Sequence, residues 1–475
     1  MNKEQLYNLE SKIPKIGSEM YELMSELYPI CRSITGEGVR ETLKIIKKHI
    51  PIEIYEVPSG TNVFDWTIPK EWNIEDAYVM DPNGKKIIDF KKLNLHVVNY
   101  SIPINTKISL SELKMHIHTI PEQPDVIPYV TSYYNENWGF CMSHNEFLKL
   151  KEGEYHVVIE SELKEGYLTY GEFLIKGQST EEIILSCYIC HPSLCNDNLS
   201  GVVMCTMLAK YIKKISNKYS IRFLFIPETI GAITWLSRNE NEISKIKHGL
   251  VVTCVGDSGN LTYKKSRSGN EEIDKSVLEV LKNSNSEYNV VDFFPWGSDE
   301  RQFCSPGFNL PVGSLVRSLY GGSGFPEYHT SNDNLNFVKK KYLMHSLWVY
   351  LQIIENLEDK FIKKAKIDTK QERKFVQVKS INRNNIKSEN LRKFLNKNPK
   401  CEPQLGKRGL YHMIGGQNPE FKDRTNEFAI FWVLNLSDGY NSIIDISKKS
   451  GINIDIIKKN IEILSSNQLL EEIIE

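Results

Sequence analysis

Apolar residues recur at helical spacing over the first fifty residues of the chain. The stretches EQLYNLESKI and MYELMSELYPI place them three or four positions apart, which is typical of amphipathic helices. A polar turn with Gly36 and Gly38 follows, and then a third amphipathic helix that ends near His49. After Pro51 the alternating stretch IEIYEVPSG predicts a strand with an exit turn.

The pattern changes between Val63 and Gly166. Short apolar runs there are separated by aromatic residues, prolines and an Asn83-Gly84 turn, which predicts short strands and hairpins. Because this stretch interrupts an alternation of helices and strands, we interpret residues 63–165 as an inserted β-rich domain.

The alternation returns at Tyr167. The runs YLTYGEFLIKG, EEIILSCYI, SIRFLFIP and HGLVVTCVGD are predicted strands, and helical patterns follow most of them. This order predicts an α/β fold, with a mostly parallel sheet flanked by helices on both faces. Residues 1–62 and 166–362 would form this discontinuous core, with its ligand site at the carboxyl ends of the strands.

The C-terminal region differs again. Residues 363–400 are polar and basic, which indicates a linker or a solvated segment. Three helical patterns follow Thr425, and the second ends at Gly451, so residues 363–475 are predicted to be a linker and a winged helix-turn-helix domain. DNA binding is the weaker hypothesis for it, because acidic residues accompany Lys458 and Lys459 in the presumed recognition helix. Protein contact or homo-oligomerisation is favoured.

Composition restricts the classes of function. The 475 residues are 40% hydrophobic and 25% charged with a net charge of −1, which is typical of a soluble globular protein with two or three domains. No run is long enough to span a membrane, and the N-terminus lacks the apolar core of a secretory signal. Nine scattered cysteines indicate reduced thiols, so a cytoplasmic location is predicted.

Candidate metal ligands follow the predicted strands. Such carboxylate and imidazole groups can converge at one edge of a parallel sheet, where they suit a zinc ion that keeps an open position for water. A carboxylate nearby that is not a ligand could act as the general base on that water. The candidates are His191, Asp197, Glu228, Asp257, Asp299 and His329.

The stretch SCYICHPSLCNDNLSG allows two other interpretations. Its C-x-x-C-H spelling is that of covalent haem attachment, but the chain shows no export signal. A thiolate zinc site of Cys187, Cys190 and Cys195 would need a fourth ligand, for which Cys205 is the nearest candidate. We interpret Cys187 and Cys205 as buried apolar residues.

The order of these elements resembles that of zinc-dependent aminopeptidases of the co-catalytic metallopeptidase class, over about residues 167–340 and the N-terminal helices. The matching motifs are the His after a strand, NDNLSG at 196–201, GSD at 297–299 and YHT at 328–330. The resemblance implies one or two zinc ions and a metal-activated water. It implies metal ligands at His191, Asp197, Asp257 and His329, and a general base at Glu228.

Two departures from that family stand out. The family's Glu-Glu-x-Gly motif is Glu228-Thr229-Ile230-Gly231 here, so a hydroxyl replaces a metal ligand. The second metal position would then be weak, empty or completed by Glu228. The Asp that orients the first His in many relatives is also absent, since residues 192–196 read PSLCN, and another group must orient His191.

A narrower resemblance covers almost the whole chain. The stretches YPICRSITGEGVRETL, VFDWTIPKEWNI, IPEQPDVIPYVTSYY and CHPSLCNDNLSG are similar to those of bacterial aminopeptidase-like proteins often linked to polysaccharide biosynthesis. That group carries an inserted domain and a C-terminal winged helix, so the resemblance implies the same three-part layout.

We therefore predict a zinc-dependent hydrolase of an amide or peptide bond, similar to an aminopeptidase in its reaction, that acts on a small peptide-like or amide substrate. The alternatives are a degenerate binding protein and an amidase or deacylase that acts on an amino-sugar conjugate. Arg32 and Arg267 are candidates for binding a substrate anion, and Tyr328, in the YHT motif, is a third candidate for substrate binding.

Overall fold

The molecule is built around a mixed sheet with helices on both faces. The computed structural model describes residues 3–215, 217–284, 286–319, 324–367, 388–411, 415–416 and 424–473. Within these ranges the central sheet has eight strands, and its four middle strands run parallel. In spatial order the strands are Glu53–Pro58, Tyr167–Ile175, Ser220–Ile226, Glu182–Tyr188, Ile246–Val252, Val312–Val316, Leu261–Lys264 and Tyr288–Val291.

The middle strands are buried on both faces, which explains their continuous apolar sequence. In the strand Glu182–Tyr188, Ile183 and Leu185 pack into the core on one side of the sheet, and Ile184 packs into the core on the other. The α-helices of the described residues are Lys3–Glu10, Ile13–Leu27, Glu37–His49, Leu110–Met115, His144–Phe147, Ser200–Ile212, Ile230–Arg238, Glu272–Asn283, Glu300–Phe303, Lys340–Ile367, Thr425–Leu436, Ile443–Ser450 and Ile454–Ser466.

A separate antiparallel sheet occupies the region between residues 71 and 164. Its four strands, in spatial order, are Lys86–Asp89, Glu71–Met80, Glu154–Lys164 and Ile104–Ser109. The hairpin between the first two turns at Gly84, whose φ of +78° suits a residue without Cβ. Short pairs complete the region: Asn62–Val63 with Trp66–Thr67, Ile117–His118 with Phe140–Cys141, and Val130–Thr131 with Gly415–Gly416.

The C-terminal residues form a winged helix. A three-stranded sheet, in the order Asp438–Ser442, Lys393–Asn396 and Leu470–Glu472, packs with the last three helices. The strand Lys393–Asn396 falls within the stretch predicted as a linker, of which residues 368–387 lie outside the described residues. Gly451 ends its helix in the left-handed conformation, as its position in the sequence predicted.

The winged helix packs against the core. The Trp296 ring stacks on that of Phe428, with centroids 4.2 Å apart. The guanidinium of Arg267 donates hydrogen bonds to the side chain and carbonyl of Asn435, 2.9 Å each. In the part of the chain that the structure describes, no helix is long and apolar enough to cross a membrane.

Candidate metal centre

Three of the predicted ligands meet at one end of the central sheet. His191 follows the strand Glu182–Tyr188, Asp197 lies in the turn Cys195–Leu199 that leads into the helix Ser200–Ile212, and His329 lies ahead of the helix Lys340–Ile367. One ligand atom from each of these side chains lies within 4.8 Å of the other two. The convergence expected from the strand ends is therefore present for these three residues.

The geometry of Asp197 and His329 fits a shared cation. Nε2 of His329 lies 2.8 Å from Oδ2 of Asp197, and Nε2 of His191 lies 3.9 Å from the same oxygen. Oδ2 of Asp197 and Nε2 of His329 are both buried, and neither has a hydrogen-bond partner beyond this mutual contact. Two buried polar atoms that have only each other suit a common partner, which a metal ion would provide. Two imidazoles and a carboxylate form a ligand set typical of catalytic zinc.

The protonation states of these groups also suit metal binding. Burial lowers the pKa of His191 to about 4, so its imidazole is neutral near pH 7. Burial opposes ionisation of Asp197, but His191 and His329 outweigh that effect and lower its pKa to about 2. A neutral imidazole and an ionised carboxylate are the forms that bind metals.

Hydrogen bonds fix the position of Asp197. The carboxylate of Asp333 accepts the backbone N–H groups of Asn196 and Asp197, at 2.6 and 2.9 Å. The Tyr188 hydroxyl donates to Oδ1 of Asp197 and lies 2.6 Å from Oγ1 of Thr253. The second carboxylate oxygen of Asp197 is thus left to face the histidines.

The sequence did not indicate which group orients His191, and in the structure Cys190 lies in contact with its imidazole. Its Sγ is 3.3 Å from Nδ1 of His191 and accepts the backbone N–H of Glu228 at 3.3 Å. Burial raises the pKa of this thiol well above its ordinary value, so it stays protonated. From the other side, Nε of Arg32 donates to the backbone carbonyl of His191 at 3.0 Å.

Glu228 occupies the position expected of a base next to the cluster. Its Oε2 lies 3.9 Å from Nε2 of His191, and its side chain is 26% exposed, against 1% for Asp197. Partial burial of the carboxyl, followed by the charges of Asp299 and Asp197, raises the pKa of Glu228 well above its ordinary value. The side chain is therefore near the ligands and still accessible from solvent.

The structure does not bring Asp257 into this cluster. Its carboxylate accepts hydrogen bonds from Nδ2 of Asn196 at 2.8 Å, Oγ of Ser318 at 2.6 Å and the backbone N–H of Gly259 at 2.7 Å. Asp257 lies five residues beyond the end of its strand at Val252, and its ligand role stays a prediction. The residue that follows Val252 directly, Thr253, is the one that reaches Asp197, through the Tyr188 hydroxyl.

The three candidates for substrate binding lie in different places. Arg32 is 1% exposed, and its Nη1 donates to the Leu27 carbonyl, so its contacts hold the backbone. Arg267 lies at the contact with the winged helix, where it also pairs with Asp438 at 3.3 Å, and its role in substrate binding stays a prediction. Tyr328 lies at the cluster, because its ring stacks on that of His329 with centroids 3.9 Å apart.

Tyr129, in the segment between residues 63 and 165, lies against the cluster, and the motifs did not reveal it. Its ring centroid lies 5.1 Å from those of both His191 and His329. Its backbone N–H donates to the His329 carbonyl at 2.8 Å, and its hydroxyl lies 2.9 Å from that of Tyr133. The only available signal was the aromatic stretch IPYVTSYY, in a segment separate from the core pattern.

We expect Tyr129→Ala to weaken zinc binding by about 10- to 100-fold, as loss of other outer-shell support does. Tyr129→Phe keeps the ring against both histidines and should retain an affinity close to that of the wild-type protein. Zinc titration against a competing chelator measures both values. Equal affinities for the Ala variant and the wild-type protein would show that the ring does not position the ligands.

Comparison with known proteins now gives the chain a family. Residues 21–360 match a family described as a domain of unknown function (DUF4910). A Clostridium acetobutylicum protein named for polysaccharide biosynthesis and an aminopeptidase-like domain is 55% identical over 455 residues, 96% of each chain. The chain belongs to the DUF4910 family. Residues 392–472 also match a winged helix-turn-helix family, in agreement with the fold of the C-terminal region.

Solved structures of other proteins share this fold. A crystal structure of a Clostridium acetobutylicum protein whose name proposes a peptidase has a TM-score of 0.73 and 52% identity, and covers 99% of this chain and 100% of that one. BSAP, a zinc aminopeptidase from Bacillus subtilis, has a TM-score of 0.54 and 12% identity over 72% of this chain and 95% of that one. These likenesses confirm the aminopeptidase-like α/β fold that the motifs indicated.

Proposed function

We propose that the protein is a zinc-dependent hydrolase of an amide or peptide bond. The observation that carries the proposal is the convergence of His191, Asp197 and His329, with two buried ligand atoms that lack any other partner. The aminopeptidase-like fold supports it, because the ligands lie where the strands of such a sheet end.

The residues of the site would have separate roles in the reaction. His191, Asp197 and His329 would hold a zinc ion, which when bound polarises a carbonyl and makes water a better nucleophile. Glu228, 3.9 Å from His191, would accept the proton of the attacking water and pass it to the leaving amine. Cys190 and Arg32 would keep His191 in place from its far side and from its backbone.

The first test is metal analysis of the purified protein. We expect zinc at a near-stoichiometric level in the wild-type protein and its loss in His191→Ala, because two ligands alone do not hold the ion tightly. His156→Ala is the matched control, since this histidine lies on the separate antiparallel sheet and contacts Asn105. Zinc absent from the wild-type protein, or unchanged in His191→Ala, would contradict the proposal.

The second test concerns the bond that is cleaved. Aminoacyl amides and short peptides test the aminopeptidase-like reaction, and N-acyl amino sugars are included because the 55% identical relative is named for polysaccharide biosynthesis. Hydrolysis in either set supports an amide hydrolase and identifies the class of substrate. A zinc-loaded protein that binds members of the panel and cleaves none would instead be a binding protein.

We also propose a reducing compartment such as the cytoplasm. All nine cysteines are free and eight of them are buried, including Cys187 and Cys190 of the C-x-x-C-H stretch and their neighbour Cys195. Cys187 donates to the Leu224 carbonyl within the sheet, which supports its interpretation as a packed core residue.

A further inference from the structure

Thr229 occupies an unusual position beside the cluster. It follows Glu228 directly and has a φ of +62°, which a β-branched residue rarely adopts. Its backbone N–H donates to Oδ1 of Asp299 at 2.7 Å, and its hydroxyl accepts a hydrogen bond from Nη2 of Arg301 at 3.0 Å. The oxygen that could have faced a cation therefore faces a guanidinium.

Contacts on two further sides hold Arg301 in this position. Its Nη2 lies 3.3 Å from a carboxylate oxygen of Glu402, and its guanidinium carbon lies 5.5 Å from the centroid of the Phe431 ring. The side chain is 13% exposed. Burial opposes its charge, but Glu402, Tyr411 and Glu228 outweigh that effect and raise its pKa, so the group is a permanent cation.

The surroundings of Arg301 carry an excess of acidic groups. Its positive charge acts on both Glu228 and Asp299, in addition to its contact with Glu402. Oδ2 of Asp299 is buried without a hydrogen-bond partner. Carboxyl groups that repel one another need a cation to offset their charge. The guanidinium supplies a positive charge in a place where a metalloenzyme could otherwise hold a second ion.

We propose that the centre holds a single metal ion and that the Arg301 guanidinium takes the place of a second cation, with Thr229 as its hydrogen-bond acceptor. The proposal rests on the proposed function, since it assumes that His191, Asp197 and His329 hold one ion. Arg301 would give the acidic side of the site a fixed positive charge that no chelator removes. Glu402 and Phe431, which lie C-terminal to the core in the sequence, would thereby support the metal centre.

The count of bound ions is the first test. Wild-type protein equilibrated with excess zinc and then passed through a desalting column should retain one ion per chain by mass spectrometry of the metal. Two ions per chain would overturn the role of Arg301 and leave the hydrolase proposal intact. No retained ion would overturn the proposed function as well, so the two failures are distinguishable.

The affinity for zinc is the second test, and it does not depend on catalysis. Because the guanidinium repels a nearby cation, we expect Arg301→Gln to bind zinc about tenfold more tightly than the wild-type protein. Arg301→Lys keeps the charge and should bind like the wild-type protein. A purely structural role predicts the opposite sign, since a disturbed site binds zinc less tightly.

Arg408→Gln is the matched control, because it removes a guanidinium that pairs with Asp65 instead of Glu402. Its zinc affinity should equal that of the wild-type protein. An unchanged or weaker affinity in Arg301→Gln would overturn the proposal. An equal gain in Arg408→Gln would also overturn it, since the effect would then reflect net charge alone. The ion count of the wild-type protein decides the question even where a variant does not fold.

Discussion

Replacement of Glu228 by Gln is expected to lower kcat by about 100- to 10,000-fold and to leave the zinc content unchanged. The amide has nearly the shape of the carboxyl group but cannot take a proton from water. Zinc should remain because the cluster of ligand atoms consists of His191, Asp197 and His329, and Glu228 stands 3.9 Å from Nε2 of His191. The two roles of Glu228 thus predict different zinc contents for Glu228→Gln. The variant keeps zinc if Glu228 is a base beside the cluster and loses zinc if Glu228 is a ligand.

Steady-state kinetics on a substrate that the wild-type protein cleaves, with metal analysis of the same sample, provide the measurement. Glu240→Gln is the control, because this glutamate pairs with Lys400 on the surface, with both side chains more than a third exposed. Loss of zinc together with activity in Glu228→Gln would make Glu228 a ligand. Retained activity would place the general base elsewhere.

Much of the fold could be predicted because local patterns agree with it. The continuous apolar run of Glu182–Tyr188 follows from burial of that strand on both faces, and the third helix ends at His49 as its pattern indicated. The Asn83-Gly84 turn does join two antiparallel strands. The strand Lys393–Asn396 was missed because four residues in a polar, basic stretch carry too little pattern, and its partner strands lie more than forty residues away.

The site could be predicted only in part, for a physical reason. His191 and Asp197 follow one strand closely, so the end of the strand places them. Asp257 lies five residues beyond Val252, and over that distance the loop turns its carboxylate toward Asn196 and Ser318. Local sequence does not indicate such tertiary hydrogen bonds.

Contacts between separate regions of the chain could not be predicted from the sequence either. Tyr129 lies in the segment between residues 63 and 165 and contacts His191, while Arg267 faces the winged helix, so each depends on how two parts of the molecule meet. Apolar periodicity describes the face that an element buries within its own unit. It does not indicate which side chain crosses to another unit.

The buried pair of Lys264 and Glu300 should give the largest effect on stability. Nζ of Lys264 lies 2.6 Å from Oε1 of Glu300, and the two side chains are 1% and 0% exposed. Burial lowers the pKa of Lys264, although Glu300 favours its charged form. We expect Glu300→Gln to lower the free energy of unfolding by about 3–5 kcal/mol, because it leaves the Lys264 ammonium buried without its counter-charge.

Urea denaturation followed by circular dichroism measures the loss, and the double variant Lys264→Met with Glu300→Leu tests its cause. Apolar side chains of similar size need no counter-charge, so the double variant should recover most of the stability. Glu154→Gln is the control, since its pair with Lys107 is about two-thirds exposed and should contribute less than about 1 kcal/mol. A double variant as unstable as Glu300→Gln would show that the loss does not come from an uncompensated charge.

The pair also bears on the site, because Glu300 lies between Asp299 and Arg301 at the start of the helix Glu300–Phe303. Lys264 donates in addition to the Trp296 carbonyl at 2.6 Å, so one ammonium fixes Trp296 and Glu300, and Asp299 lies between them while Arg301 follows directly. The double variant keeps the packing but loses this hydrogen bond. Its zinc affinity should therefore move toward that of Arg301→Gln if the ammonium sets the position of the guanidinium. Wild-type affinity in the stable double variant would show that the helix positions Arg301 without the pair.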